Sequence, residues 1–268
     1  MKHVTLDLGN GGAAAQGLLY EPTPKMPQRM ERPCVIVIPG GAYAYRSARE
    51  ADPVAAQFSA AGYNTFVLEY TTAGEDGSRG PLKMRPLMEV AEAVATVRER
   101  AAEWGVDPER IAVCGFSAGG HLAASLGVHW GSEKLPYGRA CRPDAMILSY
   151  PVITSDPAYF HGGSIENLCG DDEDLRAFFS LEKQVTKETV PAYLWHTVTD
   201  ESVPVENSML FISALQKNGV PFECHLFAAG EHGMSICTQG VDSSDRHNAA
   251  WVPLSIEWLD ERFHFVRY

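Results

Sequence analysis

At 268 residues, 45% hydrophobic and 21% charged, the chain has the composition of an ordinary globular protein and enough length to bury one large α/β core rather than two small ones. Its formal charge of −12 argues against nucleic acid, anionic membrane surfaces and polyanionic substrates as partners. The N-terminal stretch Met1-Lys-His-Val-Thr-Leu-Asp-Leu8 lacks the apolar core of a signal peptide and no apolar run reaches the length of a membrane span, so a cytoplasmic protein is expected.

Two weakly alternating segments, Lys2 to Leu8 and Ala15 to Tyr20, flank Gly9-Asn-Gly-Gly12 and predict an antiparallel hairpin at a sheet edge. Glu21 to Pro33 holds four prolines and reads as a surface connection. Cys34-Val-Ile-Val-Ile38 is a continuous apolar run, the mark of a strand buried on both faces, and it stops at Pro39-Gly-Gly-Ala-Tyr43. Adjacent glycines at the carboxyl end of such a strand either make a tight turn or leave backbone N–H groups free to face a ligand. Asp52 to Ala61 predicts a helix with Asp52 as its N-cap, Pro53 in the first helical position and Gly62 as its stop. Tyr63 to Tyr70 predicts the next strand, and a polar loop runs from Thr71 to Gly80. Pro86 to Trp104 predicts one long helix with Leu87, Val90, Ala91, Val94 and Val97 on one face. Strands alternating with helices in this way indicate a parallel sheet.

After Asp107-Pro108, the β-branched run Ile111-Ala-Val-Cys114 ends at Gly115-Phe-Ser-Ala-Gly119, and a small, apolar helical pattern follows from Ala118 to His129. A strand, a sharp turn and a helix lift Ser117 clear of the backbone in positive-φ geometry, and the residues two before and two after it must be small for strand and helix to pass closely. Ala145 to Tyr150 is another strand. Thr154 to Val190 departs from the rhythm, with His161-Gly-Gly-Ser164, Cys169-Gly-Asp-Asp172 and a short helical stretch from Asp172 to Leu181, and reads as a small cap-like insertion at about 154–190 or as a surface elaboration. His161-Gly-Gly163 has the look of an oxyanion loop but follows no buried strand, so it is set aside as a decoy. Ala192 to His196 is a strand, Val205 to Asn218 a helix and Glu223 to Phe227 the last strand. Gly230-Glu-His-Gly233 follows, and residues 248–263 form a closing amphipathic helix.

A serine hydroxyl is a poor nucleophile at neutral pH and needs a base to take its proton and an acid to orient that base. Asp200 and His232 each lie just past a late strand, where an open parallel sheet gathers its functional groups, and complete the order Ser117, Asp200, His232. Their neighbours Glu201 and Glu231 read as solvated loop charges. Backbone donors for a developing oxyanion are expected from Ala118 and from Gly41 or Ala42. The six cysteines show no C-x-x-C spacing and are expected to be reduced, and the nine histidines show no metal-ligand pattern, so neither cofactor nor metal is expected.

These segments together resemble the α/β-hydrolase-fold serine esterases, and most closely the bacterial acetyl esterases and acetylxylan-esterase-like proteins related to the hormone-sensitive-lipase group. The matching residues are Pro39-Gly-Gly-Ala-Tyr43, Gly115-Phe-Ser-Ala-Gly119, Asp200-Glu-Ser-Val-Pro-Val-Glu-Asn-Ser208 and Glu231-His-Gly233. The resemblance implies a single α/β-hydrolase domain with a mostly parallel sheet and helices on both faces. It also implies hydrolysis of short-chain, acetyl-type esters, including those of sugars or xylo-oligosaccharides, through an acyl-enzyme on Ser117. The lipase-like oxyanion motif begins with histidine and has three glycines, whereas this chain has Pro39 and Ala42 around Gly40-Gly41. His161-Gly-Gly-Ser-Ile-Glu-Asn-Leu168 also resembles a loop of the sugar-esterase-like relatives. Two other readings stay open at this point: an amide-cleaving relative of formamidase or exopeptidase type, and a hydrolase-fold protein that binds a ligand without turning it over.

Overall fold

The computed structural model describes residues 1–9, 12–26 and 30–265. Eight strands form one sheet: β1 (Lys2–Leu8), β2 (Ala13–Leu19), β3 (Arg32–Ile38), β4 (Asn64–Glu69), β5 (Val106–Phe116), β6 (Ala145–Ser149), β7 (Ala192–Thr197) and β8 (Phe222–Phe227). Their order is β1-β2-β4-β3-β5-β6-β7-β8. β1 pairs antiparallel with β2, and β2 with β4, whereas every pairing from β4 to β8 is parallel. The hairpin therefore lies at one edge as expected, while Asn10 and Gly11 of its turn and residues 27–29 of the proline-containing connection lie outside the described residues.

All seven residues of β3 are buried because the sheet is covered on both sides. Cys34, Ile36 and Ile38 face one apolar layer with Val90, Val94, Leu122 and Phe211. Val35 and Val37 face the other, with Phe58, Trp195, Trp251 and Leu259. The helices that build these layers are α1 (Asp52–Ala60), α2 (Arg85–Glu99), α3 (Ala101–Trp104), α4 (Ala118–His129), α5 (Gly162–Cys169), α6 (Glu173–Phe178), α7 (Glu206–Lys217) and α8 (Trp251–Phe263). Two-residue alternation along a strand thus serves both layers at once, and both must be apolar.

Two local expectations are corrected. Asp52 is not the N-cap of α1; Ala51 is, and Asp52 sits in the first turn, where its charge still favours the positive end of the helix. The long helix from Pro86 to Trp104 is two helices, broken at Arg100, with Trp104 beyond the break buried against Phe66 at a centroid separation of 5.3 Å. The segment His161-Gly-Gly-Ser164 opens α5: the His161 side chain is the N-cap and accepts from the Ser164 N–H. Among the described residues no helix is long and apolar enough to cross a membrane.

Candidate active site

Ser117 stands between β5 and α4 at φ 52°, ψ −119°, a conformation that costs an L-residue energy and persists only when its surroundings enforce it. The enforcement is visible on both sides. The Ser117 N–H donates to the Ser149 carbonyl of β6 at 3.0 Å, and the Ser117 carbonyl accepts from Val152 N–H at 3.1 Å. A Cβ on Gly119 would lie 2.1 Å from the Ile38 carbonyl oxygen, and one on Gly115 would lie 2.2 Å from the carbonyl oxygen of Gly119. Strand and helix pass so closely that neither glycine has room for a side chain.

His232 reaches this elbow from the loop after β8, and Asp200 from the loop after β7. Ser117 Oγ is 2.8 Å from His232 Nε2, and His232 Nδ1 is 2.6 Å from Asp200 Oδ2. The three side chains expected to converge are thus within hydrogen-bond distance, although Ser117 and His232 are 115 residues apart. Asp200 Oδ1 accepts from the N–H groups of Ser202 and Val203, each at 2.9 Å. Burial works to raise the Asp200 carboxyl, but hydrogen bonds from His196 and His232 and the N–H of Val203 hold it well below the usual carboxylate range. Asp200 is therefore an anion, and an acceptor on both oxygens.

His196, fully buried on β7, was not foreseen. Its Nε2 faces the Val203 carbonyl at 3.0 Å, which can only accept, so Nε2 carries the proton; Nδ1 accepts from Ser208 Oγ at 2.8 Å. The same N–H lies 3.3 Å from Asp200 Oδ2, a second imidazole on that carboxylate. Thr199 Oγ1 accepts from the Gly230 N–H at 3.0 Å, and Thr197 Oγ1 donates to the Gly230 carbonyl at 3.0 Å, tying the Asp200 loop to the His232 loop. Tyr150 packs its ring edge-on to His232 with centroids 4.9 Å apart. Glu201 and Glu231 are exposed, as expected of solvated loop charges.

The loop after β3 runs through Gly41, Ala42 and Tyr43 at φ 119°, 54° and 59°. Three consecutive residues on the positive side require anchoring, and each neighbour supplies some. Gly40 N–H donates to the buried Glu50 Oε2 at 2.9 Å, Tyr70 Oη to the Pro39 carbonyl at 2.8 Å, and Asn167 Nδ2 of α5 to the Ala42 carbonyl at 2.9 Å. The buried Tyr43 hydroxyl donates to His121 Nδ1 at 2.8 Å, since His121 Nε2 must give its proton to the Phe179 carbonyl at 3.0 Å. Among the described residues the N–H groups of Gly41 and Ala42 have no acceptor, and that of Ala118 opens α4 and has no intrahelical partner. Glu50 ties this loop to the histidine side, because Oε1 accepts from Tyr150 Oη at 2.7 Å; burial raises its carboxyl, while the bonds from Tyr150 and Gly40 oppose that. Sequence reasoning had no signal for Glu50, a lone carboxylate in a polar stretch.

Ser117 opens into a cavity of about 170 Å³ whose walls include Gly41, Ala42, Tyr45, Glu50, His161 and His232. His161, set aside as a decoy, lines the same cavity as Ser117: its segment builds no oxyanion loop, but as the N-cap of α5 it is brought over the site by the insertion between β6 and β7. A larger cavity of about 610 Å³ opens between α1 and strands β1, β2 and β4, and Ser117, Asp200 and His232 are absent from its lining.

The BD-FAE family model matches residues 19–141. The chain is 41% identical over 214 residues to endo-1,4-beta-xylanase B of Butyrivibrio fibrisolvens, covering 77% of this chain and 33% of that protein. It is 28% identical over 244 residues to the acetylxylan esterase of Xylanibacter ruminicola, covering 88% of this chain and 47% of that protein. The chain thus spans a third to about half the length of these curated relatives. Among solved structures, the acetyl ester-xyloside bifunctional hydrolase of Caldicellulosiruptor lactoaceticus superposes with a TM-score of 0.82 at 35% identity, covering 96% of this chain and 90% of that one. With that identity across nearly the whole of both chains, the strand order of the sheet and the serine elbow between β5 and α4, the protein belongs to the α/β-hydrolase family of the Caldicellulosiruptor enzyme.

Proposed function

We propose that the protein is a serine carboxylesterase that removes short acyl groups, acetyl foremost, from small alcohols and sugars. The observation that carries this reading is the unbroken chain from Ser117 Oγ to His232 at 2.8 Å and from His232 to Asp200 at 2.6 Å. In the reaction His232 Nε2 takes the Ser117 proton as Oγ attacks the ester carbonyl, and Asp200 holds the imidazole in the tautomer that can accept it. The carbonyl oxygen becomes an anion facing the N–H groups of Ala118 and of Gly41 or Ala42, each such donor worth roughly 3 kcal/mol in the transition state. The C–O bond breaks as His232 protonates the departing alcohol. Water then attacks the acyl-enzyme, gives a proton to His232 and releases the carboxylic acid and Ser117.

The names carried by the acetylxylan esterase and the acetyl ester-xyloside hydrolase support acetylated xylo-oligosaccharides as a substrate class for this chain. Asn167 on the Ala42 carbonyl and His161 in the cavity support a cap role for the insertion at about 154–190 within a single domain. Six free cysteines, five of them buried, support a reducing compartment such as the cytoplasm.

The test is a fluorophosphonate probe followed by rate measurements on acetyl to octanoyl esters, N-formyl aromatic compounds and dipeptide amides. Labelling at Ser117, a preference for acetyl esters and a loss on the order of a million-fold in Ser117→Ala are expected. An unlabelled Ser117 would favour a ligand-binding protein, and a dominant amide rate would replace the esterase reading.

A further inference from the structure

Tyr45 is a large aromatic left 50% exposed beside the Gly41 loop. Its N–H donates to the Gly41 carbonyl at 3.1 Å, and a Cβ on Gly41 would lie 3.1 Å from the Tyr45 ring carbon Cδ2. The ring therefore rests beside the loop of Gly41 and Ala42, which lines the same cavity. Its hydroxyl has no partner among the described residues.

His161 lines the same cavity with one nitrogen engaged. Nδ1 accepts from the Ser164 N–H at 3.2 Å and from Ser164 Oγ at 2.9 Å, so the neutral ring carries its proton on Nε2. Burial, with His232 acting in the same sense and Asp200 against, lowers the His161 pKa and keeps the ring neutral near pH 7. Nε2–H has no acceptor among the described residues. A half-buried N–H donor and an exposed aromatic ring lining one cavity suit a ligand that has both an apolar face and an oxygen that accepts.

We propose that Tyr45 and His161 form the subsite for the alcohol part of the substrate, a pyranose ring whose C–H face rests on Tyr45 while one of its hydroxyl oxygens accepts from His161 Nε2–H. A sugar ring presents both features at once, a flat C–H face that stacks on an aromatic and free hydroxyl oxygens that hydrogen-bond; an esterified simple alkyl alcohol has C–H surface but neither a ring face nor a free hydroxyl. The proposal rests on the esterase reading and assigns specificity rather than chemistry to the two residues.

The test compares kcat/KM on acetylated methyl xyloside with kcat/KM on ethyl acetate, which has no ring and no hydroxyl, in the wild type, Tyr45→Ala and His161→Asn. Asparagine keeps an N-cap acceptor for Ser164 but is too short to replace Nε2–H, so α5 retains its start. The ratio of xyloside ester to ethyl acetate is expected to fall about tenfold in each variant, the scale of one lost hydrogen bond or stacking contact. A ratio within twofold of wild type in both variants overturns the subsite. A wild-type enzyme that cleaves ethyl acetate and leaves the xyloside ester intact overturns it while the esterase reading stands, and inactivity on both esters overturns both.

Discussion

The Asp200 carboxylate is approached by four N–H groups: those of Ser202 and Val203 at 2.9 Å, His232 Nδ1 at 2.6 Å and His196 Nε2 at 3.3 Å. An anion so enclosed neither moves nor takes a proton easily, and it dictates which nitrogen of His232 is bare toward Ser117. Replacing it with asparagine keeps the volume but lets the amide donate to His232, which turns the wrong tautomer to the serine. For Asp200→Asn we predict a fall in kcat of about 10⁴-fold on an acetyl ester with the fold retained, measured by steady-state kinetics beside circular dichroism. A loss below tenfold would remove Asp200 from the role assigned to it. At this scale the sequence pointed to Ser117, Asp200 and His232 because each follows a strand in the right order. It was silent on Glu50 and Tyr150, which meet each other across 100 positions, and on His196, whose partners Asp200, Val203 and Ser208 are near in sequence but reach it only through the fold of the loop after β7.

Between elements, α4 passes close against the end of β3 at Gly119. The Ile38 carbonyl oxygen would be 2.1 Å from a Cβ on Gly119, and the obstacle is backbone on both sides, so no rotamer change relieves it. Gly119→Ala must push α4 away from β3 and carry Ala118 N–H and Ser117 out of line with Gly41 and Ala42. We predict a destabilisation of about 3 kcal/mol or more, read from urea unfolding, together with a loss of esterase rate larger than the fraction unfolded explains. An unchanged rate per folded molecule would mean that the separation of these elements does not set the donors. The helix α4 was legible in full, from Ala118 to His129, because a β-branched run, a glycine-flanked serine and a helical pattern stand in immediate succession. By contrast α5 was hidden, since a histidine cap followed by Gly162-Gly163 has the composition of a turn; what makes it a helix is the Ser164 N–H on His161 and the seat that Asn167 finds on the Ala42 loop.

For the molecule as a whole, two neutral histidines hold the insertion onto α4. His121 donates to the Phe179 carbonyl and His129 to the Phe178 carbonyl, each at 3.0 Å, and His129 stacks on Phe178 with centroids 3.8 Å apart. Burial lowers both pKa values to about 4, against about 6.5 in an unfolded chain. Because the folded value is the lower one, the unfolded chain takes up protons first; the stability from these rings is complete above pH 6.5 and drains away as pH falls toward 4. For His121 the loss amounts to about 3 kcal/mol, while Glu50 and Glu89, whose carboxyls burial raises, act in the opposite sense. Urea unfolding at pH 7, 5.5 and 4.5 is expected to show a steady decline in the wild type and a flatter profile, from a lower start, in His121→Gln. Parallel profiles would place the acid sensitivity elsewhere.

The sequence by itself determined the alternation of strand and helix, the doubly buried β3, the elbow at Ser117 and the family to which the chain belongs, because each is written in residues close together along the chain. Only the tertiary structure decided that His232 meets Ser117, that Glu50 and Asn167 brace the loop of Gly41 and Ala42, and that His161 overlooks the cavity. Those contacts join residues brought together by the order of strands in the sheet, and no local preference encodes a distance across 115 positions.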